Sequence, residues 1–275
     1  MTSFSGKTVL ITGAASGIGF IMGRIALERG AKHLVMWDIN SESLSASADE
    51  LTSKGYSIST NLVDVRNKEQ VSKVSEEVIK EQGSIDILFN NAGIVVGKSF
   101  ADHSYEDIEN TLAVNSLGLM YVARAFLPAM IEKGFGRIIN IASAAGLTPN
   151  PGMTVYAASK WAAVGWSDSL RIELEQNHEN IKVLTVMPSY INTGMFDGVK
   201  APLLIPLLDP EKISAKILNS VEKEKVILRE PFMIKLSPFV RGILPARIYD
   251  FVAGKILKVY SSMNTFRGRK GAKDD

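Results

Sequence analysis

The strongly β-branched run Thr8–Thr12 passes without a spacer into Gly13-Ala14-Ala15-Ser16-Gly17-Ile18-Gly19, and a helical pattern, Gly17–Arg29, follows at once. No other feature restricts the fold so tightly. Glycines at these positions permit a tight turn, let backbone N–H groups approach an anion, and allow the helix to pack close to the strand. The helix start adds unpaired N–H donors and the positive end of its dipole. A strand, a glycine loop and a helix in this order form a cradle for a pyrophosphate. The spacing is G-x-x-x-G-x-G rather than G-x-G-x-x-G.

The rest of the first two thirds repeats the strand–helix alternation. Strands are expected at Thr8–Thr12, Leu34–Asp38, Ser57–Asp64, Ile85–Asn90, Gly136–Ala142 and Ile181–Pro188. Helices are expected between them, at Gly17–Arg29, Ser41–Lys54, Lys68–Gln82, Tyr105–Lys133 and Val155–Gln176. Such units build a parallel sheet, and right-handed crossovers make it a doubly wound α/β layer. At 275 residues with 46% hydrophobic content, one large core is the expectation. No repeat or linker divides the chain before about residue 195. Beyond it Pro202, Pro206 and Pro210 interrupt an apolar stretch that cannot be regular helix throughout. The reading is a body over 1–198, a loop-and-helix extension of the same domain over 199–266, and a basic tail over 267–275.

Several function classes are excluded by composition. The chain has no cysteine, which removes disulfide frameworks, thiolate metal sites and cysteine nucleophiles. His33, His103 and His178 are far apart in sequence, so no metal site is expected. A net charge of +2 makes no case for nucleic acid. That figure hides a division: Lys200–Asp275 carries 15 basic and 8 acidic residues, net +7, against −5 for the preceding chain. The strand pattern begins almost at the first residue, without an apolar leader. No uninterrupted apolar run is long enough to span a bilayer. A soluble, cytoplasmic protein, peripheral to a membrane at most, is the expectation.

Two further signals carry chemistry. Asp38 ends the second strand, where a carboxylate accepts hydrogen bonds from adenosine ribose hydroxyls and repels a 2′-phosphate. No Arg or Lys stands in the glycine loop or in the two positions after Asp38, so the expected cofactor is NAD. Ser143, Tyr156 and Lys160 form S-x12-Y-x3-K. On a helix Tyr156 and Lys160 share a face. A free tyrosine, with a pKa of about 10, exchanges protons poorly near neutrality. A neighbouring ammonium favours the phenolate and lowers that value. Ser143, at a strand end, can hold a substrate oxygen.

These residues, with Asp64-Val65, Asn90-Asn91-Ala92-Gly93, Asn115 and Pro188 to Thr193, resemble the short-chain dehydrogenase/reductases in order and position over about the first 195 residues. The resemblance implies a single doubly wound Rossmann domain with a C-terminal helical extension. It implies Tyr156 as general acid/base, Lys160 as the group that lowers its pKa and binds the nicotinamide ribose, and Ser143 as the orienter of the reacting oxygen. Asn115 would hold a water in a proton relay. Cofactor contacts are implied for Gly13, Ser16, Gly17, Ile18, Gly19, Asp38 and Ile39. Asp64 and Val65 would bracket the adenine, Asn91, Ala92 and Gly93 would line the cofactor, and Pro188, Ile191 and Thr193 would face its carboxamide end. One departure is Ser189, where the family usually has glycine; a modest change in loop shape is expected.

Further segments, among them Leu34–Asn40, Phe126–Met130, Ser143–Gly146 and Asn192–Gly194, are similar to 17β-hydroxysteroid and retinol dehydrogenases. The implied reaction is hydride exchange between NAD and a hydrophobic alcohol or ketone. A β-ketoacyl or small-carbonyl reductase is the alternative, and Asp38 opposes the NADPH such an enzyme usually prefers. Val199–Leu208 suits a lid over an apolar pocket. Pro245–Tyr260 reads as one amphipathic helix with Ile248, Phe251, Val252, Ile256 and Val259 together on one side. Docked on its own domain or a subunit it is ordinary; its basic flanks also suit weak contact with a membrane surface. A homodimer or homotetramer through the Tyr105–Lys133 and Val155–Gln176 helices is implied by resemblance.

Overall fold

A computed structural model describes residues 1–268. Strand β1 (Thr8–Thr12) is buried along its whole length, as a strand covered on both faces must be. It pairs in parallel with β2 (His33–Asp38) on one side and β4 (Ile87–Asn90) on the other. With β3 (Ile58–Leu62), β5 (Gly136–Ile141), β6 (Ile181–Pro188) and β7 (Ile227–Glu230), these make a seven-stranded parallel sheet in the order β3-β2-β1-β4-β5-β6-β7. Strand order reverses between β1 and β4. A crevice opens there at the carboxyl ends of the strands.

Side chains alternate across the sheet and feed two cores. Val9 and Ile11 face α1 (Gly17–Glu28), α2 (Ser41–Ser53) and α7 (Pro210–Glu222). Leu10 faces α3 (Lys68–Gln82), α5 (Leu119–Lys133) and α6 (Thr154–Asn177). The helix starts are set locally: Asn40 and Asn67 accept hydrogen bonds from the backbone N–H groups of Ser43 and Gln70, and Asp209 caps α7 ahead of Pro210.

Two expected helices are divided. Tyr105–Lys133 consists of α4 (Tyr105–Leu112), a π-helical turn at Ala113–Gly118, and α5. The stretch is long and apolar enough to cross a membrane, yet Val122, Phe126 and Met130 are spent on the core. The π turn turns Asn115 and Ser116 inward, and the Ser116 hydroxyl donates to the Ser159 carbonyl at 3.0 Å. Pro245–Tyr260 is likewise not one helix. It contains α9 (Ala246–Phe251), a π-helical turn at Val252–Ile256, and a 3-10 turn at Val259–Ser261 entered through left-handed Lys258. The Tyr260 ring folds back over Gly254, and its hydroxyl donates to Asp250 at 2.8 Å. The expected apolar face is thereby split: Val252 and Val259 turn inward, while Ile248, Phe251 and Ile256 stay exposed.

The sheet continues past residue 198, because α7 and β7 complete it, and α8 (Phe232–Ile243) follows. At the end of the described chain, the backbone N–H groups of Arg267 and Gly268 donate to the Asp197 carbonyl at 2.9 and 3.3 Å. The basic tail expected over 267–275 therefore starts from an anchored end, and residues 269–275 lie outside the described residues.

Candidate active site

The crevice is built first by the glycine loop. Gly13 is left-handed (φ +66°), and a Cβ there would lie 3.0 Å from Ala92 Cα; a Cβ on Gly19 would run into the Gly13 carbonyl oxygen. Only glycine lets α1 start this close to β1 and β4. Thr12 fixes the opposite wall. Its hydroxyl accepts from the backbone N–H groups of Asn91 and Ala92, both at 3.0 Å. The Asn91 amide donates to the Thr12 and Gly13 carbonyls at 3.0 and 3.1 Å. Asn91 thus clamps the loop as well as lining the crevice.

All the expected cofactor residues share one cleft. Gly13, Ser16, Gly17, Ile18 and Gly19 form one end with Thr193 beside them; Asp38, Ile39, Asp64 and Val65 form another. Asn91, Ala92, Gly93, Tyr156, Lys160, Pro188 and Ile191 line the remainder, in a space of about 1690 Å³. Asp38 accepts from the Ala15 and Asn40 N–H groups, both at 3.0 Å, which fixes its carboxylate at the cleft edge. A dinucleotide fits this donor set, since the loop N–H groups and the space that Cβ atoms would fill are where a pyrophosphate needs them.

One cationic residue of this cleft escaped the sequence reading. Arg66 lines it near Asp38, but the guanidinium is forked onto Asp64 (2.7–3.0 Å) and also donates to Asn110 at 2.6 Å. That pairing holds the Asp64 carboxyl below its ordinary range. Its charge is committed, so the missing signal was a three-residue neighbourhood, Asp64-Val65-Arg66, in which the acid neutralises the base.

Tyr156 and Lys160 stand one turn apart on α6, and Ser143 caps the 3-10 turn after β5 by accepting from the Ala145 N–H at 3.1 Å. Lys160 is only 4% exposed, and its ammonium donates to the Ile141 carbonyl at 2.9 Å. Burial pushes it down to about 8. Burial pushes the Tyr156 phenol up to about 12, countered in part by the Ser143 hydroxyl. Lys160 Nζ sits 5.7 Å from the Tyr156 ring centroid, and burial is the largest influence on the phenol.

The Asn115 side chain is used structurally. It lines neither cleft; its amide oxygen accepts from the Ile94 N–H at 2.9 Å, and its amide nitrogen donates to the Ile94 carbonyl and the Ser159 hydroxyl. The side chain is consumed in holding the loop after β4 against α6. A Cβ on Gly93 would come within 3.3 Å of Asn115 Oδ1 and 3.7 Å of Lys160 Nζ, so the three are close neighbours.

A second cleft of about 920 Å³ meets the first at Ser143, Ser189 and Phe196. Its wall is almost wholly apolar, with Met153, Tyr190, Ile234, Val240, Val252 and Leu257 among the contributors. Pro202 and Ile205 of the expected lid segment form part of it. Ser189 donates its N–H to the Glu230 carbonyl at 2.8 Å, continuing the pairing with β7, and its φ is not left-handed, which explains how serine is accommodated. Phe196, unmarked in the sequence, packs edge-on to both Tyr156 and Tyr190 (centroids 6.1 and 5.2 Å) where the clefts join.

Comparison with known proteins agrees with this geometry. A family model described as short chain dehydrogenase matches residues 7–203. The chain is 37% identical over 270 residues to epidermal retinol dehydrogenase 2 of Mus musculus, covering 97% of this chain and 87% of that one. It is 33% identical over 255 residues to estradiol 17-beta-dehydrogenase 11 of Homo sapiens, covering 92% and 84%. Among solved structures, a short chain dehydrogenase/reductase from Burkholderia phymatum in complex with NAD superposes with a TM-score of 0.79 at 25% identity, covering 91% and 96%.

Proposed function

Since the chain belongs to the short chain dehydrogenase family, we propose that it oxidises hydrophobic alcohols with NAD, or reduces the matching carbonyls with NADH. The observation that carries this reading is the junction. Ser143 belongs to both clefts, one a dinucleotide-shaped crevice and the other a space whose wall is almost wholly apolar. A small polar alcohol would leave that apolar wall uncovered, whereas a lipophilic one would bury it. The retinol and estradiol named for two relatives are bulky lipophiles, in keeping with it.

The chain's own groups divide the work. Ser143 donates its hydroxyl proton to the substrate oxygen and fixes its position. Tyr156 takes that oxygen's proton in oxidation and returns it in reduction. Held near 12, the phenol is a ready donor at neutral pH, and oxidation requires the phenolate that a rising pH supplies. Lys160 would bind the nicotinamide ribose and bias the phenol toward the phenolate. NAD, when bound, accepts the hydride that leaves the carbinol carbon. The decisive assay is NADH formation from a panel of steroid, retinoid and long-chain alcohols; no turnover of any of them in either direction would overturn the reading.

Asp38 argues for NAD over NADP. A 2′-phosphate would meet a fixed carboxylate, and Arg66 is already committed to Asp64. We expect kcat/KM with NAD to exceed that with NADP by at least about tenfold, a difference of ~1.4 kcal/mol. Asp38→Ser should narrow the ratio. Equal use of both cofactors by the unaltered enzyme would contradict the assignment.

The outer face of the extension fits an anionic membrane surface. Helices α8 and α9 turn apolar side chains into the cleft and also outward: Phe239 is 69% exposed, Ile243 62% and Phe251 60%. A helix apolar on both sides needs a second apolar environment. Charge selects it, because residues 231–268 hold Lys235, Arg241, Arg247, Lys255, Lys258 and Arg267 against the single acid Asp250. A lipophilic substrate would then reach the cleft from the bilayer. The chain should co-sediment with vesicles containing anionic lipid, and Phe239→Glu with Phe251→Glu should weaken this at least about tenfold. Wild-type protein left in the supernatant would remove the membrane, and a change from dimer to monomer in the variant would assign the face to a second copy.

A further inference from the structure

The apolar cleft contains a polar cluster that the reaction does not use. Thr148, Ser237 and Tyr249 all line this cleft, and none of them lines the cofactor cleft. They arrive from the loop after β5, from α8 and from α9. The Tyr249 hydroxyl donates to Thr148 Oγ1 at 3.1 Å, and the Thr148 and Ser237 hydroxyls are 2.8 Å apart. Three hydroxyls carry three protons, and these two bonds use two of them. If Thr148 donates to Ser237, the Ser237 proton is unspent; if Ser237 donates to Thr148, the Thr148 proton is. Neither residue has another side-chain hydrogen bond among the described residues, and the Ser237 hydroxyl does not donate back to its own helix. In either arrangement one donor remains in a wall that is mostly apolar.

Asn150 lines the same cleft but belongs to a separate hydrogen-bonded group. Its residue is 9% exposed, its amide nitrogen donates to the Tyr190 hydroxyl at 2.6 Å, and its amide oxygen has no partner. That oxygen is sealed from the cleft and could only accept, so a ligand's acceptor does not pair with it, and the open donor of the hydroxyl cluster stands on its own. The cluster is also set apart from the reacting oxygen, whose place is marked by Ser143 at the junction of the clefts.

From the unspent proton we propose that Thr148, Ser237 and Tyr249 form a binding site for a second oxygen of the substrate, at the end of the molecule away from the carbon that is oxidised. The preferred substrate class is then two-ended: a rigid apolar body with the reacting alcohol at one end and a hydrogen-bond acceptor at the other. This rests on the dehydrogenase reading above and narrows it, since a single-ended long-chain alcohol would leave the donor unpaired.

The test uses two saturated tetracyclic alcohols of one skeleton, one with a carbonyl on the ring opposite the hydroxyl and the other with a methylene there. Both are titrated calorimetrically into the NADH-loaded enzyme and then assayed for turnover with NAD. The carbonyl-bearing alcohol should bind at least about fivefold tighter, the size of one neutral hydrogen bond. The triple variant Thr148→Val, Ser237→Ala, Tyr249→Phe should bring that ratio to about one with little change in affinity for the methylene compound. Any single substitution leaves at least one hydroxyl proton unspent (two for Thr148→Val) and should keep part of the preference. Equal binding of the pair by the unaltered enzyme, or no binding of either, overturns the proposal, as does a triple variant that weakens both equally. Tighter binding of the carbonyl compound without turnover of either would support the site while removing the dehydrogenase reading.

Discussion

Tyr156→Phe is expected to lower kcat by about a thousandfold in both directions, the usual worth of a positioned acid/base group, while NADH affinity stays within about threefold. The substitution removes one oxygen from a side chain that is otherwise packed as an aromatic, edge-on to Phe196 and beside Met153 and Tyr190. Phenylalanine keeps that packing. Ser143 retains its bond from the Ala145 N–H, so the substrate oxygen still finds its orienting hydroxyl. What is lost is the proton path. Steady-state NADH absorbance measures turnover, and NADH fluorescence titration measures binding on the same sample. A variant retaining more than about a tenth of wild-type kcat would show that another group moves the proton.

The second large effect separates activity from stability. Lys160→Met should cut turnover by at least about a hundredfold and weaken NADH binding roughly tenfold, near 1.4 kcal/mol, yet it should raise the melting temperature of the cofactor-free protein. The reason is the buried ammonium. Folding moves its pKa from 10.5 to about 8, so the unfolded chain binds this proton more tightly than the folded one. Below pH 8 the folded state carries the full penalty, roughly 3 kcal/mol. Between pH 8 and 10.5 the folded lysine is neutral while the unfolded one is still protonated, and stability from this group rises with pH across that window. Methionine removes the charge but leaves the Ile141 carbonyl without its 2.9 Å partner, which offsets about 1 kcal/mol. The remainder corresponds to roughly 5 °C in melting temperature. Thermal unfolding at pH 7 and pH 10 tests both statements. A lower melting temperature for the variant at pH 7 would mean that Lys160 stabilises the fold, and an equal rise with pH in both proteins would mean that its ammonium carries no burial penalty.

The parts of this architecture that declare themselves in sequence are those set by local pattern. Buried parallel strands read as unbroken β-branched runs, and β1, β2, β4, β5 and β6 lie close to where those runs fall. The glycine loop is legible because few residues can replace glycine where a Cβ would strike a carbonyl. Strand β7 is not, because four residues at a sheet edge carry too little pattern. Helix α8 escaped because Pro238 interrupts it and its apolar residues serve two faces, which erases the helical period. The π turn at Ala113–Gly118 ends where Gly118 passes close to Val65, a long-range contact no window of sequence contains. Site residues follow the same division. Ser143, Tyr156 and Lys160 have a spacing, whereas the hydroxyls of Thr148, Ser237 and Tyr249 meet across 89 and 101 residues of chain. The direction of the Tyr156 shift was also beyond sequence, because burial and not neighbour identity decides it.

The two clefts draw on different stretches of the polypeptide. Groups that move protons and grip the dinucleotide come mostly from residues before 161, while most of the apolar wall is supplied between Phe196 and Val259. Inheritance can therefore rewrite what the enzyme accepts without disturbing how it reacts. A combinatorial library confined to that later stretch would sample new specificities on an intact catalytic chassis, with its failures arising in folding or solubility and seldom in chemistry.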